Sequence, residues 1–111
     1  MQAPLATSAL NAAYKNKIVS AADAVQLIHD GDTVATGGFV GIGFAESIAV
    51  ALAQRWEATQ TPRDLTLVYA AGQGDGKQRG LNHLGHAGLL KRVIGGHWSL
   101  VPRIQKLAVD N

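Results

Sequence analysis

The chain has 111 residues, of which 47% are hydrophobic and 16% charged, a composition typical of one globular domain. It contains no cysteine, which excludes disulfides, thiolate metal sites and a cysteine nucleophile. The formal net charge is only +2, and no apolar run approaches the roughly 20 residues of a membrane-spanning helix. We therefore expect a cytoplasmic protein that binds neither membranes nor nucleic acid.

The first part of the chain predicts a leader followed by a short helix. Residues 1–16 are rich in alanine, serine and threonine and lack the regions of a signal peptide, so we interpret them as a flexible leader. Ser20 with Asp23 three residues later is a variant of the capping box, and Gly31 predicts the end of this helix. Residues 32–36 then form a predicted strand.

The stretch Gly37–Gly43 contains four glycines in seven residues and connects this strand to a second helix. Glycine allows a ligand to approach the backbone, and the free N–H groups at a helix start can hold an anion or a carbonyl oxygen. The helix is predicted from Phe44 to Trp56, ending before Pro62. Its apolar face is predicted to comprise Phe44, Ile48, Ala51, Leu52 and Trp56.

The rest of the chain alternates strands with helices. The pattern predicts strands over residues 65–70 and 92–96, a helix from Leu81 to Lys91, and a last helix capped by Ser99 with Pro102 in its first turn. Strands separated by helices predict an open, mainly parallel sheet in a three-layer α/β/α domain. Glycines follow each strand, so we expect all three glycine clusters at one edge of the sheet, where ligands bind.

Two nucleotide-binding motifs match only in part. A dinucleotide-binding turn needs a small residue at the position of Glu46, whose carboxylate would lie near the pyrophosphate. The run Gly72–Lys77 is one residue shorter than a phosphate-binding P-loop, and Gln78 replaces its Ser or Thr. A small dinucleotide-binding domain therefore stays an alternative, whereas a nucleotide triphosphatase is rejected.

Neither the histidines nor the basic residues define a site by themselves. His83 and His86 stand three residues apart on a predicted helix, and with His97 and Asp75 they could in principle bind a metal. The local sequence positions no third ligand beside the two histidines, so we predict no metal site, and we expect no cofactor. Basic residues exceed acidic ones after Ala70, which could attract a phosphorylated ligand or nucleic acid, although a solvated helix face is the simpler interpretation.

Glu46, in the first turn of the second predicted helix, allows two interpretations. An acid there complements the helix dipole, which stabilises a helix by about 0.3–1 kcal/mol. Alternatively, it is a site carboxylate that positions or polarises groups lying over the glycine stretch. The other glutamate, Glu57, lies near the exposed end of the same helix and is a poor site candidate.

Four segments of the chain form a recognisable set of motifs. The first is Gly37-Gly38-Phe39 with Gly41, Gly43 and Glu46. The others are residues 59–66, residues 74–81, and Gly95–Trp98 with residues 102–104. Together they resemble the family I coenzyme A transferases, in the branch of the acetate/propionate CoA-transferases. The resemblance covers residues 17–111, which we interpret as the N-terminal part of an α/β domain of that family.

The resemblance implies an enzyme that moves CoA, as substrate rather than cofactor, between an acyl-CoA and a carboxylate such as acetate. In this family a glutamate attacks the acyl-CoA, and the reaction passes through an acyl-glutamyl anhydride and a glutamyl-CoA thioester. The site residues implied here bind the acyl-CoA: Gly37, Gly38, Phe39, Gly41, Gly43 and Glu46.

The sequence departs from the family pattern at the nucleophile. The family's catalytic glutamate stands in a Glu-x-Gly context, whereas Glu46 and Glu57 are followed by Ser-Ile and Ala-Thr. We therefore expect an N-terminal fragment without a catalytic residue, inactive alone, which depends on the remainder of the enzyme or a second subunit and forms a homo-oligomer. A non-catalytic binding or interaction module is the alternative.

Overall fold

The computed structural model describes residues 17–111, which form a three-stranded parallel sheet with helices beside it. The elements are helix α1 (Ala21–Ala24), a 3-10 turn (Val25–Leu27), strand β1 (Thr33–Thr36), helix α2 (Glu46–Thr59), strand β2 (Leu65–Tyr69), a 3-10 helix (Leu81–Leu84), strand β3 (Leu90–Gly95) and helix α3 (Pro102–Asp110). Of the helices in this range, none is long and apolar enough to cross a membrane. The predicted leader, residues 1–16, lies outside the described residues.

The sheet has the order β1-β2-β3, and both strand pairs are parallel. Thr36 pairs with Tyr69, and Tyr69 pairs with Gly95, so the three strands end side by side. The register between β2 and β3 shifts by one residue after Leu65. The predicted α/β class with an open, parallel sheet is confirmed, and the loops that follow the strands leave from one edge.

The hydrophobic core lies between β2 and the helices. Leu65, Leu67 and Tyr69 alternate along β2 and are buried, whereas the residues between them are only half-buried. Leu52 and Trp56 of α2 belong to the same cluster of buried side chains. The central strand and α2 are therefore the main support of the loops at the sheet edge.

The first two helices largely match the prediction. Ser20 caps α1, because its hydroxyl accepts a hydrogen bond from the backbone N–H of Asp23 at 3.1 Å. The α-helix is shorter than expected, since it becomes a 3-10 turn before Gly31. Helix α2 begins at Glu46 rather than Phe44. Phe44 is half-buried and packs against the core, whereas Ile48 is exposed, so the prediction of Ile48 as a core residue was wrong.

The prediction of a helix from Leu81 to Lys91 was wrong. Only Leu81–Leu84 form a 3-10 helix, and β3 already begins at Leu90. The segment between them contains Gly85 and Gly88, and glycine disfavours a continuous helix by about 1 kcal/mol each relative to alanine. Leu81, Leu84 and Leu89 are nevertheless buried, through tertiary contacts rather than along one face of a helix.

The prediction that Ser99 caps the last helix was also wrong. Helix α3 follows Val101, without a side-chain cap, and the Ser99 hydroxyl instead lies 3.3 Å from Nε2 of His97. Pro102 does occupy the first helical turn. A backbone N–H at that position would make no hydrogen bond within the helix, so proline, which has none, is tolerated there. The start of this helix is thus fixed by the proline and by burial of Val101 and Ile104.

Replacing Leu67 with alanine tests the core. This side chain is 0% exposed at the centre of β2, so Leu67→Ala should lower the free energy of unfolding by about 2–5 kcal/mol in urea titrations. The control is Val109→Ala, because Val109 is 82% exposed on α3 and should change it by no more than about 0.5 kcal/mol. Equal effects of the two substitutions would contradict the placement of the core.

Candidate functional site

The glycine stretch forms a tight hairpin at the end of β1. The backbones of Phe39 and Ile42 exchange two hydrogen bonds, of 2.9 and 2.8 Å, and the Phe39 and Ile42 side chains are exposed. Gly38 has a φ of 124°, and a Cβ atom there would lie 2.9 Å from both the carbonyl oxygen of Ile42 and the nitrogen of Phe44. Glycine at position 38 is therefore required for the hairpin to close onto the start of α2. We call residues 37–43 the first glycine loop.

The loop after β2, residues 71–80, is attached to the first and is called the second glycine loop. The N–H of Val40 donates to the carbonyl oxygen of Gly72 at 2.7 Å. Gln73 is 1% exposed; its amide oxygen accepts from the hydroxyl of Thr36 at 2.7 Å, and its amide nitrogen donates to the carbonyl oxygen of Thr36 at 3.3 Å. The expectation that these two glycine clusters share one edge of the sheet is confirmed.

Glu46 connects the start of α2, three residues after the first glycine loop, to the end of the second glycine loop. It lies in the first turn of α2, as predicted, where it is the first residue, and its Oε1 accepts a hydrogen bond from the N–H of Gly80 at 3.0 Å. Its Oε2 lies 2.6 Å from Nε2 of His83, in the 3-10 helix that follows the second glycine loop. Both carboxylate oxygens are thus engaged, and the carboxylate joins the start of α2 to residues 80–83.

The environment of Glu46 favours its ionised form. Burial raises its pKa, but the hydrogen bonds from His83 and from the backbone of Gly80, with the positive charges of His83 and Arg79, outweigh that effect and hold the pKa below its ordinary value. The side chain is 42% exposed and that of His83 only 23%. Glu46 is therefore a carboxylate at neutral pH.

The second glycine loop is also held by its own polar side chains. Oδ1 of Asp75 accepts hydrogen bonds from the N–H groups of Lys77, Gln78 and Arg79, at 2.9, 2.9 and 3.0 Å. These backbone N–H groups lower the pKa of Asp75, and the N–H of Arg79 has the largest effect. Asn82 is fully buried and donates to the carbonyl oxygens of Arg79 and Leu100 at 2.9 and 3.0 Å.

A cavity of roughly 320 Å³ lies between the two glycine loops. We call it the inter-loop cavity. Its lining consists of Val40, Gly41, Phe44, Glu46, Gly74, Asp75, Arg79 and Gly80. It combines the exposed backbone of Gly41 with two acidic residues and one arginine, so it suits a polar ligand with charged groups.

The six predicted site residues do not all reach this cavity. Gly41 and Glu46 line it, whereas Gly37 and Gly43 line an adjacent apolar cavity of roughly 190 Å³. Phe44 contributes to the walls of both cavities. Gly38 lies inside the loop and Phe39 on its exposed tip, so a direct contact of all six residues with one ligand stays a prediction.

The second glycine loop and His83 were not predicted as parts of the site. The contact between Glu46 and His83 spans 37 residues and leaves no local sequence signal. The signals for the second glycine loop were the glycine cluster after the second predicted strand and the inclusion of residues 74–81 in the resemblance. Among residues 17–111, no three His, Asp or Glu side chains come together as metal ligands. His86 lies 3.9 Å from Glu57, away from His83 and its carboxylate partner.

Comparison with known proteins gives consistent matches over most of the chain. Residues 18–111 match the family described as Coenzyme A transferase. Over 95 residues, 85% of this chain, the sequence is 40% identical to acetate CoA-transferase YdiF of Escherichia coli K12. Over 81 residues, 73% of the chain, it is 37% identical to caffeate CoA-transferase of Acetobacterium woodii.

Solved structures of acyl-CoA transferase YdiF from E. coli O157:H7 have the same fold. The apoenzyme superposes on 85% of this chain with a TM-score of 0.83, and a thioester complex with CoA superposes on 84% with a TM-score of 0.82, both at 40% identity. The chain covers only 18% of the length of the E. coli K12 relative and 16% of that from A. woodii.

Titration of Glu46 tests its contact with His83. By ¹³C NMR of the carboxyl group, the midpoint should lie below the ordinary value of 4.5, and His83→Gln should move it upward because a positive partner is lost. Since the folded-state pKa is lower than the unfolded one, the ionised group stabilises the fold above pH 4.5, and this contribution disappears as the pH falls through the folded-state pKa. In Glu46→Gln, the free energy of unfolding should lack this decrease at acidic pH. An identical midpoint in His83→Gln would refute the contact.

Two neighbouring glycines give a matched test of the first glycine loop. Gly38→Ala should lower the free energy of unfolding by about 1–3 kcal/mol, because the methyl group collides with backbone and φ is positive. Gly37→Ala should change it by no more than about 0.5 kcal/mol, since nothing lies within 4 Å of the added Cβ. Urea unfolding of both variants measures the difference, and a tolerated Gly38→Ala would show that the hairpin is not closed as described.

Proposed function

The chain belongs to the coenzyme A transferase family, and we propose on that basis that it supplies part of the active site of an enzyme that moves CoA between acyl-CoA and a carboxylate. The substrates would be a short-chain acyl-CoA and a carboxylic acid such as acetate. CoA is then a substrate. The reaction needs no ATP, because the thioester bond of the donor acyl-CoA is exchanged for that of the product acyl-CoA.

The inter-loop cavity is the observation that carries this proposal. It lies at the carboxyl ends of β1 and β2, the usual position of ligands in open α/β sheets. Its walls are formed by the two glycine loops and the start of α2, which hold segments of the family resemblance. A relative of the same fold has been solved as a thioester complex with CoA.

The reaction that we propose exchanges one acyl bond for another. A glutamate carboxylate attacks the thioester carbonyl, CoA leaves as the thiolate, and an acyl-glutamyl anhydride forms. The thiolate then attacks the glutamyl carbonyl, which releases the first carboxylate and leaves a glutamyl-CoA thioester. The acceptor carboxylate reverses both steps. Backbone N–H groups at glycines are suited to stabilise the oxyanions of such steps.

Neither glutamate of this chain is the proposed nucleophile. Glu46 and Glu57 do not stand in a Glu-x-Gly context. In addition, both oxygens of Glu46 already accept hydrogen bonds, from Gly80 and His83, so the carboxylate is not free to attack a carbonyl. We propose that the nucleophile comes from the remainder of the enzyme or from a second subunit, in a homo-oligomer located in the cytoplasm.

Transferase assays on the chain and on a chimera test this proposal. The 111-residue chain alone should form no acetyl-CoA from propionyl-CoA and acetate, because it carries no free glutamate nucleophile. A chimera, in which this chain replaces the aligned 95 residues of the E. coli acetate CoA-transferase, should form acetyl-CoA.

The unmodified E. coli enzyme is the positive control, and circular dichroism shows whether the chimera is folded. Turnover by the isolated chain would contradict the assignment of the nucleophile to another segment. A folded chimera that binds acyl-CoA without any turnover would contradict the proposed participation of these loops in the active site.

A further inference from the structure

We propose that Arg79 is the anion-binding residue of the inter-loop cavity, where its guanidinium holds a carboxylate or phosphate group of a substrate. This inference rests on the proposed function, because it assigns a charged part of the substrate to one side chain of that site. Arg79 belongs to the basic excess in the second half of the chain, for which a solvated surface was the simpler interpretation.

The backbone of Arg79 is fixed on both sides although the residue is exposed. Its N–H donates to Asp75 at 3.0 Å, and its carbonyl oxygen accepts from the buried amide of Asn82 at 2.9 Å. The next N–H, of Gly80, donates to Glu46. Gly80 has a φ of 68°, and a Cβ atom there would collide with the carbonyl oxygen of Gln73. The second glycine loop therefore holds the Cα atom of Arg79 in one place beside the cavity.

The side chain of Arg79, in contrast, has no structural task within residues 17–111. Arg79 lines the inter-loop cavity, and its guanidinium forms no hydrogen bond or ion pair with a residue of this range. Two other arginines are used by the fold. Arg55 donates to the carbonyl oxygens of Val25 and Ile28, both at 2.7 Å, and Arg63 lies 4.9 Å from the ring centroid of Trp56. A fixed backbone that carries an unused guanidinium indicates a ligand-binding role.

The two carboxylates of the cavity do not compensate for this guanidinium directly. Glu46 is engaged by His83 and Gly80, and Oδ1 of Asp75 by three backbone N–H groups. The positive charge of Arg79 contributes to the lowered pKa of Glu46, without a hydrogen bond or ion pair between the two side chains. An incoming anion can therefore pair with Arg79 without breaking a hydrogen bond of the protein.

The chemistry of the guanidinium defines the class of ligand. Its planar donors match two oxygens of a carboxylate or a phosphate, and such paired hydrogen bonds are stronger than neutral ones. A cavity of roughly 320 Å³ is at the lower end of the range for small-molecule sites, so it has room for one such group and a short attached chain. A transferred acid offers a carboxylate, and CoA offers phosphates.

Anion titration of the 111-residue chain tests the site without requiring activity. In ¹H–¹⁵N spectra, acetate or inorganic phosphate should cause saturable shifts of the Gly80 and Gly41 amides that chloride does not cause. Arg79→Gln should abolish these shifts, Arg79→Lys should keep them only in part, and the control Arg92→Gln, at an exposed arginine of β3, should keep them fully. Absence of saturable shifts, or shifts that persist in Arg79→Gln, would overturn the proposal.

Kinetics of the chimera separate the two sources of the anion. If Arg79 binds the acceptor, Arg79→Gln should raise the KM for acetate by about tenfold or more and leave the KM for propionyl-CoA unchanged. If it binds a CoA phosphate, the KM for propionyl-CoA should rise instead. An active chimera in which neither KM changes would overturn the proposal. An inactive chimera with intact anion binding would instead count against the proposed function alone.

Discussion

One carboxylate determines how the loops of this protein sit together. Glu46, at the start of α2, binds the backbone of Gly80 and the ring of His83, and so fixes the second glycine loop against the first. Two further contacts support this arrangement: the N–H of Val40 donates to Gly72, and the amide of Gln73 binds Thr36 at the end of β1. The inter-loop cavity depends on this connection, because its walls come from both loops.

The core explains why the carboxylate is in position to act in this way. Burial of Leu52 and Trp56 against β2 fixes the axis of α2, and the hairpin at Gly38 fixes where the helix begins. The first turn of α2 is therefore delivered to the carboxyl edge of the sheet, where a negative charge is also favoured by the helix dipole. Packing, backbone geometry and electrostatics therefore all favour a carboxylate at this position. The two interpretations of Glu46, as an acid that complements the helix dipole and as a site carboxylate, can both hold.

Local signals in the sequence predicted the fold better than the site. The positions of the strands, the Ser20 cap and Pro102 depend on neighbouring residues, and the structure confirms them. The helix from Leu81 to Lys91 was wrong because its leucines are buried by tertiary contacts rather than by one helical face. The contact of Glu46 with His83 could not be predicted, since no periodicity relates residues 37 positions apart. The resemblance identified the family, but it assigned no role to Arg79. It also gave no indication that Glu46 binds Gly80 and His83.

The central claim is that the inter-loop cavity receives part of an acyl-CoA or its partner carboxylate. The most direct measurement is a crystal structure of the chimera with the aligned E. coli segment replaced, trapped as its thioester with CoA and soaked with acetate. We expect a substrate group inside the cavity, within about 3.2 Å of the guanidinium of Arg79 or of the backbone N–H of Gly41. Substrate bound elsewhere, with the cavity filled by protein side chains of the remaining enzyme, would contradict the account.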